Sequence, residues 1–284
     1  MKWFTASNEA SLRNPKFFEL LQVAVTSLRA NTSLDPHVLY EGDECPALAW
    51  LRDQGVTIVP TRLTFYDALR EFMLPNYREI HITCRAGAFL RTELAPSIRR
   101  FGILDPYVFY TDCDVLFASD IRLEHCRPKF FAASGKKVGG RTRLRIGGHY
   151  HINSGVMLIN VEAMLDRYDE FKRFILGNGL GMKRPADPFM QKNLFMSDQV
   201  ALNLFYRGKI TRLGNEYNWN PSGGINPIAK VIHFNGLKWN QWDEFCNQTL
   251  GQELLDHYAG LVNRDRASYE HYANQAQSAY KQLS

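Results

Sequence analysis

Cysteine is scarce in this sequence, no long apolar run occurs, and neither sign of charge dominates; each shortage removes a class of protein. The five cysteines, Cys45, Cys84, Cys113, Cys126 and Cys246, are odd in number and widely spaced. No CxxC pair is present, which argues against a structural zinc site or a dithiol redox motif and fits a reducing compartment. The opening MKWFTASNEA lacks the apolar stretch of a signal peptide, and nowhere do enough apolar residues run together to span a bilayer. A cytoplasmic chain without a transmembrane segment is the expectation. Lys and Arg number 34 against 29 Asp and Glu, a net +5. That excess favours anionic partners such as nucleotides, and nucleic acid is not expected.

What is present points to an α/β protein. The 284 residues are 45% hydrophobic and 13% aromatic, enough to bury a large core as one extended domain or two smaller ones. Lys2 to Ala6 reads as a strand, and from Pro15 the residues Phe17, Leu21, Val25 and Leu28 recur at helical spacing on one face. His37 to Tyr40, Val56 to Val59 and Tyr107 to Tyr110 are short β-rich runs between helical stretches, the alternation of βαβ units around a mainly parallel sheet. A strand is expected at Val156 to Ile159, helices near Val161 to Leu176 and Ser197 to Tyr206, and strand-like runs at Ile210 to Leu213 and Lys230 to Phe234. Residues 134–149 and 177–190 are rich in Gly and basic residues and read as long surface loops, the first carrying five cations. Its Gly-rich flanks predict a loop that orders over a bound ligand; a merely solvated basic loop is the alternative. Residues 1–245 are expected to form the main domain, and 246–284 a helical C-terminal extension packed on it.

The most informative stretch is YVFYTDCDVLFA, in which a hydrophobic strand runs into Asp112 and Asp114 at the carboxyl end, where open α/β sheets bind ligands. Alternate residues of an extended segment share a face, so the two carboxylates can converge on one hard cation, magnesium or manganese, which offsets their repulsion. A polar strand end followed by a turn is the plainer reading of the same residues. NSGVMLIN places Asn153, which can both donate and accept, beside a small Ser154-Gly155 pair that lets backbone come close to a ligand. A glycine at a strand bulge is the alternative there. SDQVALN sets Ser197 at a helix N-cap with Asp198 and Gln199 in the first turn, and capping alone accounts for Asp198 equally well. VIHFNGLKW ends an apolar strand at His233 and follows it with Gly236 and Lys238; an imidazole beside two carboxylates suits manganese, and a lysine can neutralise a phosphate.

These segments, in this order, resemble the glycosyltransferase family 8 pattern, the glycogenin and bacterial galactosyltransferase relatives, from Lys2 to about Trp239. NEYNWNP, from Asn215, matches as well. The resemblance implies a GT-A-type fold: a Rossmann-like, mixed but mainly parallel sheet flanked by helices, with a helical C-terminal tail. It implies a metal-dependent retaining glycosyltransferase that moves a hexose from a UDP-sugar to a saccharide, lipid-linked or other hydroxyl acceptor. By the same likeness Asp112, Asp114 and His233 bind Mn2+ or Mg2+, and the DCD segment with Cys113 between its acids lies against the donor. Thr5, Ala6, Ser7 and Asn8 form the uridine site, Arg91 of FLRTEL contacts the donor, Gly236 and Lys238 hold phosphate, and Asn153, Asp198 and Gln199 face the transferred sugar. Here the family's HxxG ending is one residue shorter and lacks its proline.

Two competing readings remain open on the residues alone. A haloacid-dehalogenase-type, Mg-dependent phosphatase also places a DxD after a hydrophobic strand, although the late position of this one and the HFNG segment argue against it. A non-catalytic nucleotide-sugar binder on the same fold is the other, because fold does not fix function.

Overall fold

The structure is a computed structural model and describes residues 1–74, 78–135, 137–138, 141–142, 151–179 and 197–283. Strand β1 (Lys2–Asn8) runs into the short helix α1 (Glu9–Arg13) and then α2 (Pro15–Asn31). Asn14 caps α2 by accepting from Lys16 N–H, and Pro15 occupies the first turn, where its missing N–H costs nothing. The chain continues through β2 (Asp35–Glu41), α3 (Pro46–Asp53), β3 (Thr57–Pro60), α4 (Tyr66–Met73), α5 (Glu79–Phe89), α6 (Leu94–Arg100), β4 (Tyr107–Thr111), β5 (Val115–Phe117) and β6 (Phe131–Gly135). A two-residue hairpin, β7 (Lys137–Val138) with β8 (Arg141–Thr142), precedes the long strand β9 (Ile152–Asn160). Then follow α7 (Val161–Asp166), α8 (Tyr168–Phe174), α9 (Asp198–Phe205), β10 (Thr211–Arg212), β11 (Val231–His233), α10 (Trp242–Cys246), α11 (Gln252–Val262) and α12 (Arg266–Lys281).

Seven strands form the main sheet in the order β10-β6-β9-β4-β1-β2-β3. β1 pairs in parallel with β2 and β4, and β2 with β3, while β9 runs antiparallel between β4 and β6. Side chains alternate across this sheet, and the two faces build two cores. Phe4, Leu39, Val108, Tyr110, Met157 and Ile159 pack on one side. Trp3, Val38, Phe109, Val156 and Leu158 pack on the other. Because both faces are covered, residues 152–159 of β9 are all buried. A third core gathers β11, Leu20 and Val23 of α2 and the C-terminal helices around Phe234, Trp239, Trp242 and Tyr269.

Several expectations are revised by this architecture. Leu21, Val25 and Leu28 are buried as the helical spacing predicts, but Phe17 is 41% exposed, because the first turn of α2 stands at the rim of a cleft rather than over the core. The helix expected over 161–176 breaks into α7 and α8 at Arg167 and ends in a π turn, Ile175–Gly179. The strand-like run at 230–234 is present as β11, which pairs antiparallel with β5 in a separate two-stranded sheet. The two expected long loops lie largely outside the described residues. Among the described residues, no helix is long and apolar enough to cross a membrane.

Candidate functional site

Three strand registers meet at the carboxyl end of β4. Beyond Thr111 the chain turns through Asp112, Cys113 and Asp114 into β5, and Trp3 ties the turn to β1 by donating from Nε1 to Thr111 Oγ1 at 2.9 Å. Thr111 Oγ1 donates in turn to the carbonyl of Asp112 at 2.8 Å. Because β4 and β9 pair with Thr111 opposite Val156, the next residues also meet, and Asp112 N–H donates to Gly155 O at 2.8 Å. The pairing of β11 with β5 sets His233 opposite Val115, and Phe234 N–H donates to Asp114 O at 3.0 Å. An imidazole 119 positions from Asp114 in the chain (233 minus 114) thus reaches it through strand pairing alone.

Asp112, Asp114 and His233 each present one ligating atom, and these atoms all lie within 4.8 Å of one another. His233 Nε2 stands 3.2 Å from Asp114 Oδ1 and 3.7 Å from Asp112 Oδ2. Asp114 Oδ1 is buried and has no hydrogen-bond partner among the described residues, an arrangement that costs free energy unless a cation or donor meets it. Two carboxylates and an imidazole are a donor set suited to Mn2+ or Mg2+. Glycine is required at 155 for space: a Cβ there would lie 2.1 Å from His233 Cε1 and 2.8 Å from Asp112 Oδ2.

Cations flank the acids unequally. Arg91 reaches Asp112 Oδ1 through Nη2 at 2.7 Å and Asp198 Oδ2 through Nε at 3.0 Å. Its Nη1 donates to Ser154 O at 2.8 Å, and the guanidinium lies 5.2 Å from the Tyr110 ring centroid. Burial pulls Arg91 towards neutrality, yet Asp112 and Asp198 outweigh it and hold the pKa above the ordinary arginine value. On the other side Lys238 Nζ donates to Asp114 Oδ2 and, at 3.0 Å, to Phe234 O. Burial pushes the Asp114 carboxyl up, but Lys238 and then His233 more than reverse this, so it lies well below the usual range. Asp112 goes the other way. Burial raises it, and Arg91, shared with Asp198, does not compensate. Burial, with the two acids, keeps Cys113 a thiol with a raised pKa.

The remaining sequence-derived residues fall around this cluster. Ala6, Ser7, Arg91, Asp112, Cys113, Asp114 and Lys238 line a cleft of about 240 Å³, which Phe17 and Leu20 line as well. Asn8 caps α1, donates to Thr83 O at 2.9 Å and lines a neighbouring cleft of about 510 Å³ instead. Thr5 is wholly buried, and its hydroxyl is without a hydrogen-bond partner among the described residues. Gly236 adopts φ +128°, a conformation that favours glycine, in the turn that brings Lys238 back to Asp114. Ser197 caps α9 by accepting from Val200 N–H at 3.3 Å. Asp198 is more than a helix-start acid: besides Arg91 it accepts from Ser154 Oγ at 3.2 Å. Gln199 Oε1 accepts from Ser154 N–H at 3.2 Å. Asn153 is joined to His233 through Asn218, a residue given no role from the sequence even though the NEYNWNP segment that carries it matches the family pattern.

No protein-family model matches this sequence, and no curated protein matches it in sequence. Solved structures do share its fold. The galactosyltransferase LgtC, crystallised in complex with donor and acceptor sugar analogs, is 19% identical with a TM-score of 0.58, over 92% of this chain and 96% of that one. The glycosyltransferase GlyE of Streptococcus pneumoniae is 14% identical with a TM-score of 0.54, over 91% of this chain and 64% of that one. Mouse xyloside xylosyltransferase 1 is 14% identical with a TM-score of 0.53, over 82% of this chain and 97% of that one. With its mainly parallel seven-stranded sheet flanked by helices and closed by C-terminal helices, the chain has the GT-A α/β fold that these glycosyltransferases are built on.

Proposed function

We propose that the protein is a metal-dependent retaining glycosyltransferase that moves a hexose from a UDP-sugar to a hydroxyl acceptor. One observation carries the reading: Asp112, Asp114 and His233 converge at the carboxyl end of a central strand, beside a lysine and in a cleft. When bound there, Mn2+ or Mg2+ supplies Lewis-acid stabilisation of the charge that develops on a diphosphate leaving group.

This chain's own residues prepare that event. Lys238, paired to Asp114 and lining the same cleft, adds a second positive charge where negative charge builds up. Arg91 holds Asp112 and Asp198 in fixed relation, and Ser154 ties Asp198 and Gln199 to the strand that bears Asn153. An Asp198 carboxylate that is ion-paired and hydrogen-bonded is a weak nucleophile, so we read it and Gln199 as positioning the sugar, while the acceptor hydroxyl attacks from the side of the departing diphosphate, whose freed oxygen takes the hydroxyl proton. The nucleotide moiety is assigned to the Ala6-Ser7 wall. Residues 1–245 are taken as the catalytic unit and 246–284 as its helical extension, working in the cytoplasm. The phosphatase reading fits less well, because Asp112, which would be its attacking group, is already engaged by Arg91 at 2.7 Å and by Tyr110 OH at 3.3 Å.

A panel of nucleotide sugars tested with Mn2+ checks the proposal. One UDP-sugar should raise the melting temperature in a concentration-dependent manner and be slowly hydrolysed in the same tubes. Asp112→Asn and Asp114→Asn should both remove that response while remaining folded. Turnover of a generic phosphoester in place of a sugar nucleotide would move the assignment to the phosphatase; binding with neither hydrolysis nor transfer would leave a binder.

A further inference from the structure

The orientation of His233 is written into a chain of amides that starts at a backbone group. Gly155 N–H is a donor and nothing else, and it meets the Asn153 side chain at 2.9 Å, so the atom it meets is the oxygen, Oδ1. That same oxygen receives Asn218 at 3.0 Å, which forces the Asn218 atom there to be the donor, Nδ2. The other end of the Asn218 carboxamide is therefore its oxygen, and it lies 3.0 Å from His233 Nδ1. An amide oxygen only accepts, so Nδ1 carries a hydrogen. When the ring is neutral, Nε2 is then left with a bare lone pair.

That lone pair is aimed at Asp114 Oδ1, 3.2 Å away, an oxygen with no hydrogen-bond partner among the described residues. A bare nitrogen and a carboxylate oxygen facing each other repel, unless a proton or a metal ion lies between them. The opposite tautomer would carry the hydrogen on Nε2 and block the position from which the ring can ligate. His233 is only 3% exposed and backs onto Gly155, so water has little room to take over the task of Asn218.

We propose that Asn218 is a positioning residue for the metal cluster: held by Asn153 and, through it, by Gly155 N–H, it fixes the Nδ1–H tautomer of His233 and presents Nε2 to the cation. Asn153 thereby has a second duty. Its Oδ1 is committed to Gly155 and Asn218, so the sugar-facing role assigned above falls to its Nδ2. The proposal deepens the metal reading of the site and rests on it for its functional meaning, although the tautomer itself does not.

Two measurements separate these layers. In metal-free protein with 15N-labelled histidine, at a pH where the ring is neutral, the His233 resonances (assigned by loss in His233→Gln) should show a protonated Nδ1 and a pyridine-like Nε2. Asn218→Ala should let the tautomers mix and weaken Mn2+ binding, read from the paramagnetic resonance of free Mn2+, by about 10–100-fold. Asn218→Asp gives up the donor to Asn153 Oδ1 but keeps an acceptor at Nδ1, and should retain the wild-type tautomer while binding Mn2+ more tightly than Asn218→Ala. Should Asn218→Ala unfold the protein, this second variant and the wild-type spectrum still decide. A wild-type ring protonated at Nε2, or an Asn218→Ala spectrum equal to wild type, overturns the proposal. Failure of the folded wild type to bind Mn2+ would instead overturn the functional reading beneath it.

Discussion

Asp112 and Asp114 are two residues apart in the chain, yet their surroundings differ in kind. Asp112 shares a single guanidinium with Asp198, so its side of the site holds two carboxylates for one Arg91. Asp114 has Lys238 to itself and the nearer contact with His233, 3.2 Å against 3.7 Å for Asp112. Burial disfavours both anions, and the local cation count decides the outcome: Asp112 is pushed up, while Asp114 is held down. The first side is a rigid frame whose cation is already used twice, and the second carries the positive charge available to an incoming phosphate. The contrast teaches that the spacing of a DxD motif does not make its two acids equivalent; the partners delivered by other strands do.

The largest effect that would break this contrast lies in the frame. Arg91→Met should leave the buried Asp198 and the half-buried Asp112 without the cation they share, at a cost of about 3–5 kcal/mol in unfolding free energy, measured by chemical denaturation. Arg91→Lys should rescue little of it, because one ammonium cannot reproduce contacts made through Nε, Nη1 and Nη2. A loss below about 1 kcal/mol, the size of a surface ion pair, would show that the pair of acids does not need this cation.

A smaller effect is expected where both sides touch. Gly155→Ala puts a methyl group into contact with the His233 ring and the Asp112 carboxylate at once. Overpacking of this kind costs about 1–3 kcal/mol. The displaced ring should also weaken Mn2+ binding by about tenfold or more, in line with the loss of ligand orientation. Calorimetric titration of the folded variant checks it, and unchanged affinity would mean the ring moves aside without consequence.

The pH dependence sharpens the comparison with the smallest signal. Asp114, whose folded pKa is depressed, stabilises the fold above its unfolded value of about 3.9, and that contribution is lost as pH falls from there towards its folded value. Asp112 has the opposite sign, since its raised pKa means that ionisation costs stability and protonation relieves it as pH falls. Urea midpoints of metal-free protein between pH 6 and 3.5 should therefore decline less steeply for Asp114→Asn than for wild type, and more steeply for Asp112→Asn. Parallel slopes for all three would remove the asymmetry.

Much of the frame was legible in the sequence because it is built from local patterns. Hydrophobic runs bounded by helical stretches announce β1 to β4, and Ser197 announces the start of α9 through a hydrogen bond three residues on. The acids were visible for the same reason, as polar residues ending a buried strand. What was not legible depends on pairing between distant segments. Nothing near Arg91 shows that it will meet Asp198, and nothing near His233 shows that Asn218 will stand behind its ring; both follow from how β9, β11 and α9 converge. Phe17 kept the helical period of its neighbours yet lies at the cleft rim, because periodicity gives a direction around the helix and says nothing of where the sheet ends. The partner of β11 was not legible either, since the short run Val231-Ile232-His233 carries no information on the strand it will pair with.

The central claim is that Asp112, Asp114 and His233 together hold one divalent ion against the diphosphate of a sugar nucleotide. A crystal of the protein grown with UDP and Mn2+, measured at the manganese absorption edge, tests it most directly. An anomalous peak within bonding distance of all three side chains, touching both phosphates, is the expected result. Nucleotide bound with no peak among those three side chains, or manganese held elsewhere, would contradict the account.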